Sequence, residues 1–281
     1  MTVLLALKLL LVPGFLALIS LVARRYGPLT AGWLAGLPVI VGPISFFIAV
    51  EQGAAFAADA ARFTLASVFT VVVFGAAYAN VAYRRGWAAS LSVAVLAWFA
   101  AACLIAAMPL NLPGAVALAL VSLLIAPRFY PAVAAEPPPV PLPPSELLLR
   151  MLAGATLTWI VTALAVRAGP AWSGVVSLAP VLTPVVAVFT HRRGGGVHAV
   201  VLLRGLAGGA YSLASFCLAV AVLLPRWDIA GTFSAASALA LLVQGIGLVL
   251  RRRTHRDKTK AMVQTSGMPH DTSPRRGGST P

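Results

Sequence analysis

Apolar runs separated by short polar or Gly/Pro breaks occupy the chain from residue 3 to residue 250. A hydrocarbon core of about 30 Å is crossed by about 20 residues of helix, so each run of that length predicts one span. On that measure the spans are residues 3–23, 29–50, 62–83, 87–107 and 112–130, then 147–166, 171–190, 198–224 and 229–250. The expected fold class is all-α, a polytopic membrane helix bundle of about nine spans.

The pattern repeats. Residues 150–250 follow residues 8–108 at a constant offset of about 142 positions, without a gap. Arg25, Gly27, Pro28, Gly32, Pro38, Gly53, Arg62, Phe74 and Arg84 line up with Arg167, Gly169, Pro170, Gly174, Pro180, Gly195, Arg204, Phe216 and Arg226. Gly, Pro and Arg are sparse in apolar segments, so their coincidence at one offset carries more than matches of Leu or Ala. The expected organisation is a first membrane repeat of five spans (1–130), a Pro-rich cytoplasmic linker (131–146), a second repeat of four spans (147–250) and a disordered basic cytoplasmic tail (251–281). The linker reads EPPPVPLPPS over 136–145, stiff and unable to continue a helix. The tail has high charge, low hydrophobicity and several Gly and Pro.

Composition agrees with the bilayer: of 281 residues, 60% are hydrophobic and 10% charged. The net charge of +14 lies largely in the tail and at helix ends. That placement sets topology and touches anionic lipid, and it does not predict nucleic-acid binding. Residues 2–23 are expected to stay as a span, because Arg24 and Arg25 follow where a leader would carry small residues.

Basic clusters change ends between the copies. Arg24 and Arg25 close the first span where the second copy keeps only Arg167; Glu51 closes the second where the second copy has Arg192 and Arg193. Arg84 and Arg85 correspond to Arg226 with Asp228 nearby, and the uncharged 108–112 corresponds to Arg251, Arg252 and Arg253. Under the positive-inside rule the copies are expected to lie in opposite orientations, with the N-terminus periplasmic and the C-terminus cytoplasmic. The fifth span turns the second copy over. Inverted repeats of this kind are the plan of many secondary transporters.

The second span of each copy carries paired prolines: Pro38 and Pro43 with Gly42, and Pro180 and Pro184 with Thr183. A proline removes a donor and clashes with the carbonyl four residues back, so carbonyls are freed at membrane depth. Such breaks persist where protein or a water-lined cavity satisfies them, which makes matching breaks in two halves a pointer to a substrate site; a packing kink is the plainer alternative. Arg62 and Arg204 are the second constellation, candidates for assisting an anionic ligand from two opposite entrances, or else arginines that snorkel to the headgroups. Asp59, one turn before Arg62, can pair with it.

Ser67, Thr70, Tyr78, Asn80, Tyr211, Ser212 and Ser215 fit a polar path or, more simply, interhelical hydrogen bonds. His191 and His198 lack a third ligand, so no metal is expected, and Cys103 and Cys217 read as small core hydrophobes. With seven carboxylates in the chain, none at mid-span, and no paired acids or nucleophile motif, neither an enzyme nor a cofactor is expected.

The segment AGWLAGLP, residues 31–38, resembles small four-span bacterial membrane proteins of the GlpM type through Ala31, Gly32 and Pro38. That resemblance implies a bacterial inner-membrane location and a four-span unit. The whole plan resembles inverted-repeat carriers of the drug and metabolite transporter type, without their tenth span. The expected function is secondary transport or export of a small solute, an anion being one candidate, by alternating access. The alternative is a non-transporting accessory or assembly protein of a cell-envelope complex, for which the Pro-rich linker and basic tail are suited docking elements.

Overall fold

A chain this apolar has to satisfy its backbone internally, and helices do so within one segment. The computed structural model describes residues 2–133, 136–167 and 180–266, and every regular element among them is a helix. In order these are α1 (Thr2–Tyr26), α2 (Pro28–Ala35), α3 (Val41–Gln52), α4 (Ala54–Ala82), α5 (Trp87–Ala107), α6 (Leu112–Phe129), α7 (Pro144–Arg167), α8 (Leu182–Gly194), α9 (Gly196–Leu223) and α10 (Ile229–Ser266). One compact unit ends at Gln244; the other starts at Gly245, within α10.

Among the described residues six helices are long and apolar enough to cross a membrane: Leu9–Tyr26, Ala54–Ala82, Trp87–Ala107, Leu112–Phe129, Gly196–Leu223 and Ile229–Leu250. The expected second span, 29–50, is two helices, α2 and α3, separated at Gly36 to Ile40. Much of the expected seventh span, 171–190, lies outside the described residues, as do Gly169, Pro170 and Gly174. The third and eighth spans begin earlier than the apolar runs suggest. Helix α4 starts at Ala54 because the alanine-rich stretch around Asp59 favours helix, although the acid interrupts the apolar run. Past the expected ninth span, α10 continues to Ser266, with no Gly or Pro between Arg251 and Ser266. Residues 267–281 lie outside the described residues.

Helices α4 and α9 form the centre. In the most apolar 18-residue stretch of each, 61% of α4 and 56% of α9 is buried inside the protein, against 22–33% for the other four spanning segments. Phe74, Tyr78, Leu203, Phe216 and Val220 from these two helices are among the most completely enclosed side chains. The two helices run antiparallel, since the start of α9 abuts the end of α4: a Cβ on Gly196 would strike the Ala82 carbonyl. Helices α1 and α7 are also antiparallel neighbours. Arg150, early in α7, reaches Ser20, late in α1, and Gly154 sits against Leu16 and Val12.

Gly53 and Gly195 end one helix and begin the next, with φ, ψ of 90°, 162° and 84°, 178°. This region is open almost only to glycine. Each junction therefore turns the chain within a single residue, and both stand at the offset seen in the sequence. The boundaries of α4 and α9 follow the same offset at their N-termini, as do those of α5 and α10.

Helix α2 crosses α9 at very short range. Gly32 and Gly36 on one helix face Gly205 and Gly209 on the other, and a Cβ at any of the four would strike backbone across the crossing. Small residues four apart on both helices let backbones touch, which is how helices gain contact when lipid offers no hydrophobic driving force.

One end of unit 1 collects the basic side chains. Arg192 lies 5.7 Å from the centre of the Trp87 ring, so the end of α8 shares this end with the start of α5 and with Arg84 and Arg85 just before it. The linker runs across the same end, held at three carbonyls: Arg204 donates to Pro131 (2.8 Å) and Arg193 to Pro141 (3.2 Å), while His198 Nε2 lies 3.1 Å from the Pro138 oxygen.

Candidate functional site

Between α2 and α3 the helical ladder is interrupted because Pro38 and Pro43 bring no N–H. The last turn of α2 tightens in compensation, with Gly36 N–H donating to Trp33 O (3.2 Å) and Leu37 N–H to Leu34 O (3.0 Å). Gly42 N–H then donates to Pro38 O at 2.7 Å, restarting the ladder. The Trp33 carbonyl has a second donor from far along the chain: the Gln244 amide, itself buried in α10, at 2.9 Å. An amide inserted at a helix break satisfies a carbonyl that water cannot reach.

The space beside the break is aromatic. The Phe216 ring lies 3.5 Å from where a Cβ on Gly42 would stand. Phe233 meets Phe46 and Phe216 at centroid distances of 5.3 and 6.1 Å, edge to face in both cases. Thus Pro38, Gly42 and Pro43 sit in half-buried positions over a cluster from α3, α9 and α10.

The second proline pair is described from Pro180 onward. Pro180 precedes α8, Thr183 is buried in its first turn and Pro184 follows. At the far end of α8, His191 Nδ1 lies 3.3 Å from the Tyr78 hydroxyl of α4, both residues being buried. His198 instead faces the linker, so the two histidines turn to separate partners. Among the described residues no three His, Cys, Asp or Glu side chains converge as a metal would need.

Arg62 and Arg204 are both engaged within the protein and lie in different surroundings. Arg62 pairs with Asp59 at 3.2 Å, with side chains 29% and 68% exposed, and its guanidinium is 5.2 Å from the Phe63 ring centre. Arg204 holds the linker through Pro131. Helices α4 and α9, of 29 and 28 residues, are about 43 Å long at 1.5 Å per residue, more than the hydrocarbon needs. Each arginine is eight residues from its helix start, about 12 Å along the axis, a depth from which a guanidinium reaches the headgroups.

The hydroxyl-bearing residues are bonded internally as well. Ser67 donates to Thr64 O, Thr70 to Ser67 O and Ser215 to Ser212 O within their own helices. Ser212 ties α9 to α10 through Ala240 O (2.8 Å), and Asn80 ties α4 to α6 through Phe129 O (2.6 Å).

Two features of this region escape a reading by apolar runs. Gln244 is the one amide side chain in the Ile229–Leu250 span, a signal available by inspection. The glycine pairs 32/36 and 205/209 stand four apart in two apolar segments, the spacing expected of a close helix crossing. No protein-family model matches the chain, and neither the curated proteins nor the solved structures provide a match.

Proposed function

We propose that this chain is an inner-membrane carrier that moves a small solute by alternating access, built from two inverted repeats around a pseudo-two-fold axis in the membrane plane. The observation that carries the reading is the antiparallel contact of corresponding helices, α1 against α7 and α4 against α9. Two copies of the same orientation would set their corresponding helices parallel; an in-plane two-fold axis sets them antiparallel and brings those nearest the axis together. The glycine junctions at 53 and 195 and the swapped basic clusters support the same arrangement.

In this reading the helix breaks frame the solute path, with Pro38, Gly42 and Pro43 from one half and Pro180, Thr183 and Pro184 from the other. Arg62 and Arg204 stand toward opposite entrances and assist an anionic solute when released from Asp59 and Pro131. The basic end faces the cytoplasm, the N-terminus the periplasm, and the tail lies near anionic lipid.

Cysteine labelling from either side of the membrane tests the arrangement, since Arg84→Cys and Arg192→Cys should label together from the cytoplasm and Glu51→Cys from the opposite side. Solute flux in liposomes with Arg62→Ala and Arg204→Ala tests the site. Unchanged flux in both variants removes the arginines from it.

One observation favours a second reading. The first break is packed by Phe46, Phe216 and Phe233, as a rigid scaffold would be, which suits an accessory or assembly protein of the cell envelope. Gly42→Cys and Thr183→Cys, probed with a water-soluble thiol reagent, separate the two: labelling favours the carrier, and protection at both positions favours the scaffold.

A further inference from the structure

We infer that a recess at the basic end, beneath the linker, binds a phosphate group. This stands apart from the carrier reading, since the recess belongs to the α1, α7 and α8 ends and not to the helix breaks. It is lined in part by Ser20, Arg24, Arg150, Thr190, Arg193 and His198, with Pro141 and Leu142 of the linker closing one side.

Arg150 is the deepest charged residue among these. Its side chain is 5% exposed, a burial that charged groups accept only with partners. One terminal nitrogen donates to Glu146 (2.6 Å) and the other to Ser20 (3.2 Å), but its buried Nε has no partner. A buried guanidinium N–H left without an acceptor bears the full cost of its desolvation, so one on a residue that lines a recess is a donor awaiting an acceptor.

The charge agrees. Arg24, Arg150 and Arg193 line the recess, and no carboxylate does. Glu146 reaches Arg150 and, at 3.6 Å, Arg193 from outside the lining, offsetting one of three positive charges. The remainder matches a phosphate, which carries between one and two negative charges and several acceptor oxygens in tetrahedral array. The Ser20 and Thr190 hydroxyls add donors that a tetrahedral anion can use beyond the plane of a guanidinium. The recess opens at the helix ends, so the phosphate can belong to an acidic lipid headgroup or to a solute from water.

Radiolabelled inorganic phosphate titrated onto the full chain in detergent tests one source. Lipid counting after reconstitution in phosphatidylcholine discs, with and without phosphatidic acid, tests the other. Saturable binding is expected in at least one arm, weakened at least tenfold by Arg193→Gln and by Arg150→Lys, and unchanged by Arg84→Gln, at the same end but outside the recess. Phosphate binding assigns a soluble ligand, and retention of phosphatidic acid alone assigns a headgroup. Because Arg193 is 44% exposed, its variant keeps the test sound if Arg150→Lys fails to fold. Absence of saturable binding in both arms, an unaffected Arg193→Gln, or an equal loss in Arg84→Gln overturns the assignment.

Discussion

Adding one methyl group at Gly32 should separate α2 from α9. A Cβ there would stand 2.8 Å from the Leu202 carbonyl carbon and 3.0 Å from the Leu206 nitrogen, and closer still to the Leu202 oxygen, all backbone atoms of α9. No rotamer change relieves this, so Gly32→Ala is expected to move the helices apart by more than about 1 Å, enough to forfeit roughly half or more of each dispersion contact at the crossing. Overpacking of this kind costs about 1–3 kcal/mol, or a fall in unfolding midpoint of roughly 2–10 °C for a chain this long. Gly14→Ala is the control, because nothing lies within 4 Å of a Cβ at that exposed position in α1. It should leave stability unchanged or slightly raised, alanine being the better helix former. Cys217, 1% exposed, provides the readout once the more accessible Cys103 is replaced by alanine in both variants: a thiol-reactive dye in detergent then reports the temperature at which α9 opens. If Gly32→Ala and Gly14→Ala open at the same temperature, the glycine crossing does not hold these helices and the account of it fails.

Four further substitutions probe other contacts by the same unfolding assay. Gln244→Leu removes the second donor of the Trp33 carbonyl and should cost about 0.6–1.7 kcal/mol, the range of interhelical hydrogen bonds in membranes; a more stable variant would show that the amide serves no structural purpose. Glu146→Ala leaves Arg150 buried without its carboxylate and should cost about 3–5 kcal/mol, whereas Asp59→Ala, breaking an exposed pair, should cost no more than about 1 kcal/mol. The reverse ranking would contradict the burial seen at the two pairs. Tyr78→Phe deletes the hydroxyl that meets His191 between α4 and α8 and should cost about 0.5–1.5 kcal/mol; an unchanged midpoint would reduce that contact to coincidence.

What could be read in advance follows from the physics of the bilayer. Long apolar runs have one regular structure open to them, so the helical class and several spans were visible, and the break in the second span could be anticipated from Pro38 and Pro43. Glycines at 53 and 195 stood out because they fall at the offset of the repeat, and they prove to hold conformations that side chains disfavour. The facing of the helices was hidden. In a soluble helix an apolar stripe marks the inner face, but lipid leaves the outer face apolar too, and Leu10, Leu96 and Leu241 are highly exposed. Hence the four glycines of the α2–α9 crossing and the inward turn of Gln244 could not be placed. Arg150 was legible only as the basic residue that opens the second copy. Its partner Ser20 is 130 positions away, and no local pattern announces a contact of that range.

The strap across the basic end has a chemical complement beneath it. Six of the ten residues in 136–145 are prolines, so this ribbon offers ten carbonyl oxygens against four backbone N–H groups. Arginine is the opposite, rich in hydrogens to give and unable to accept. A face crowded with guanidinium groups is thereby covered by a segment that competes with none of them. Exchanging the prolines for glycine and serine would preserve reach, yet it would set fresh amide hydrogens against Arg193, and the cover would no longer fit its own surface.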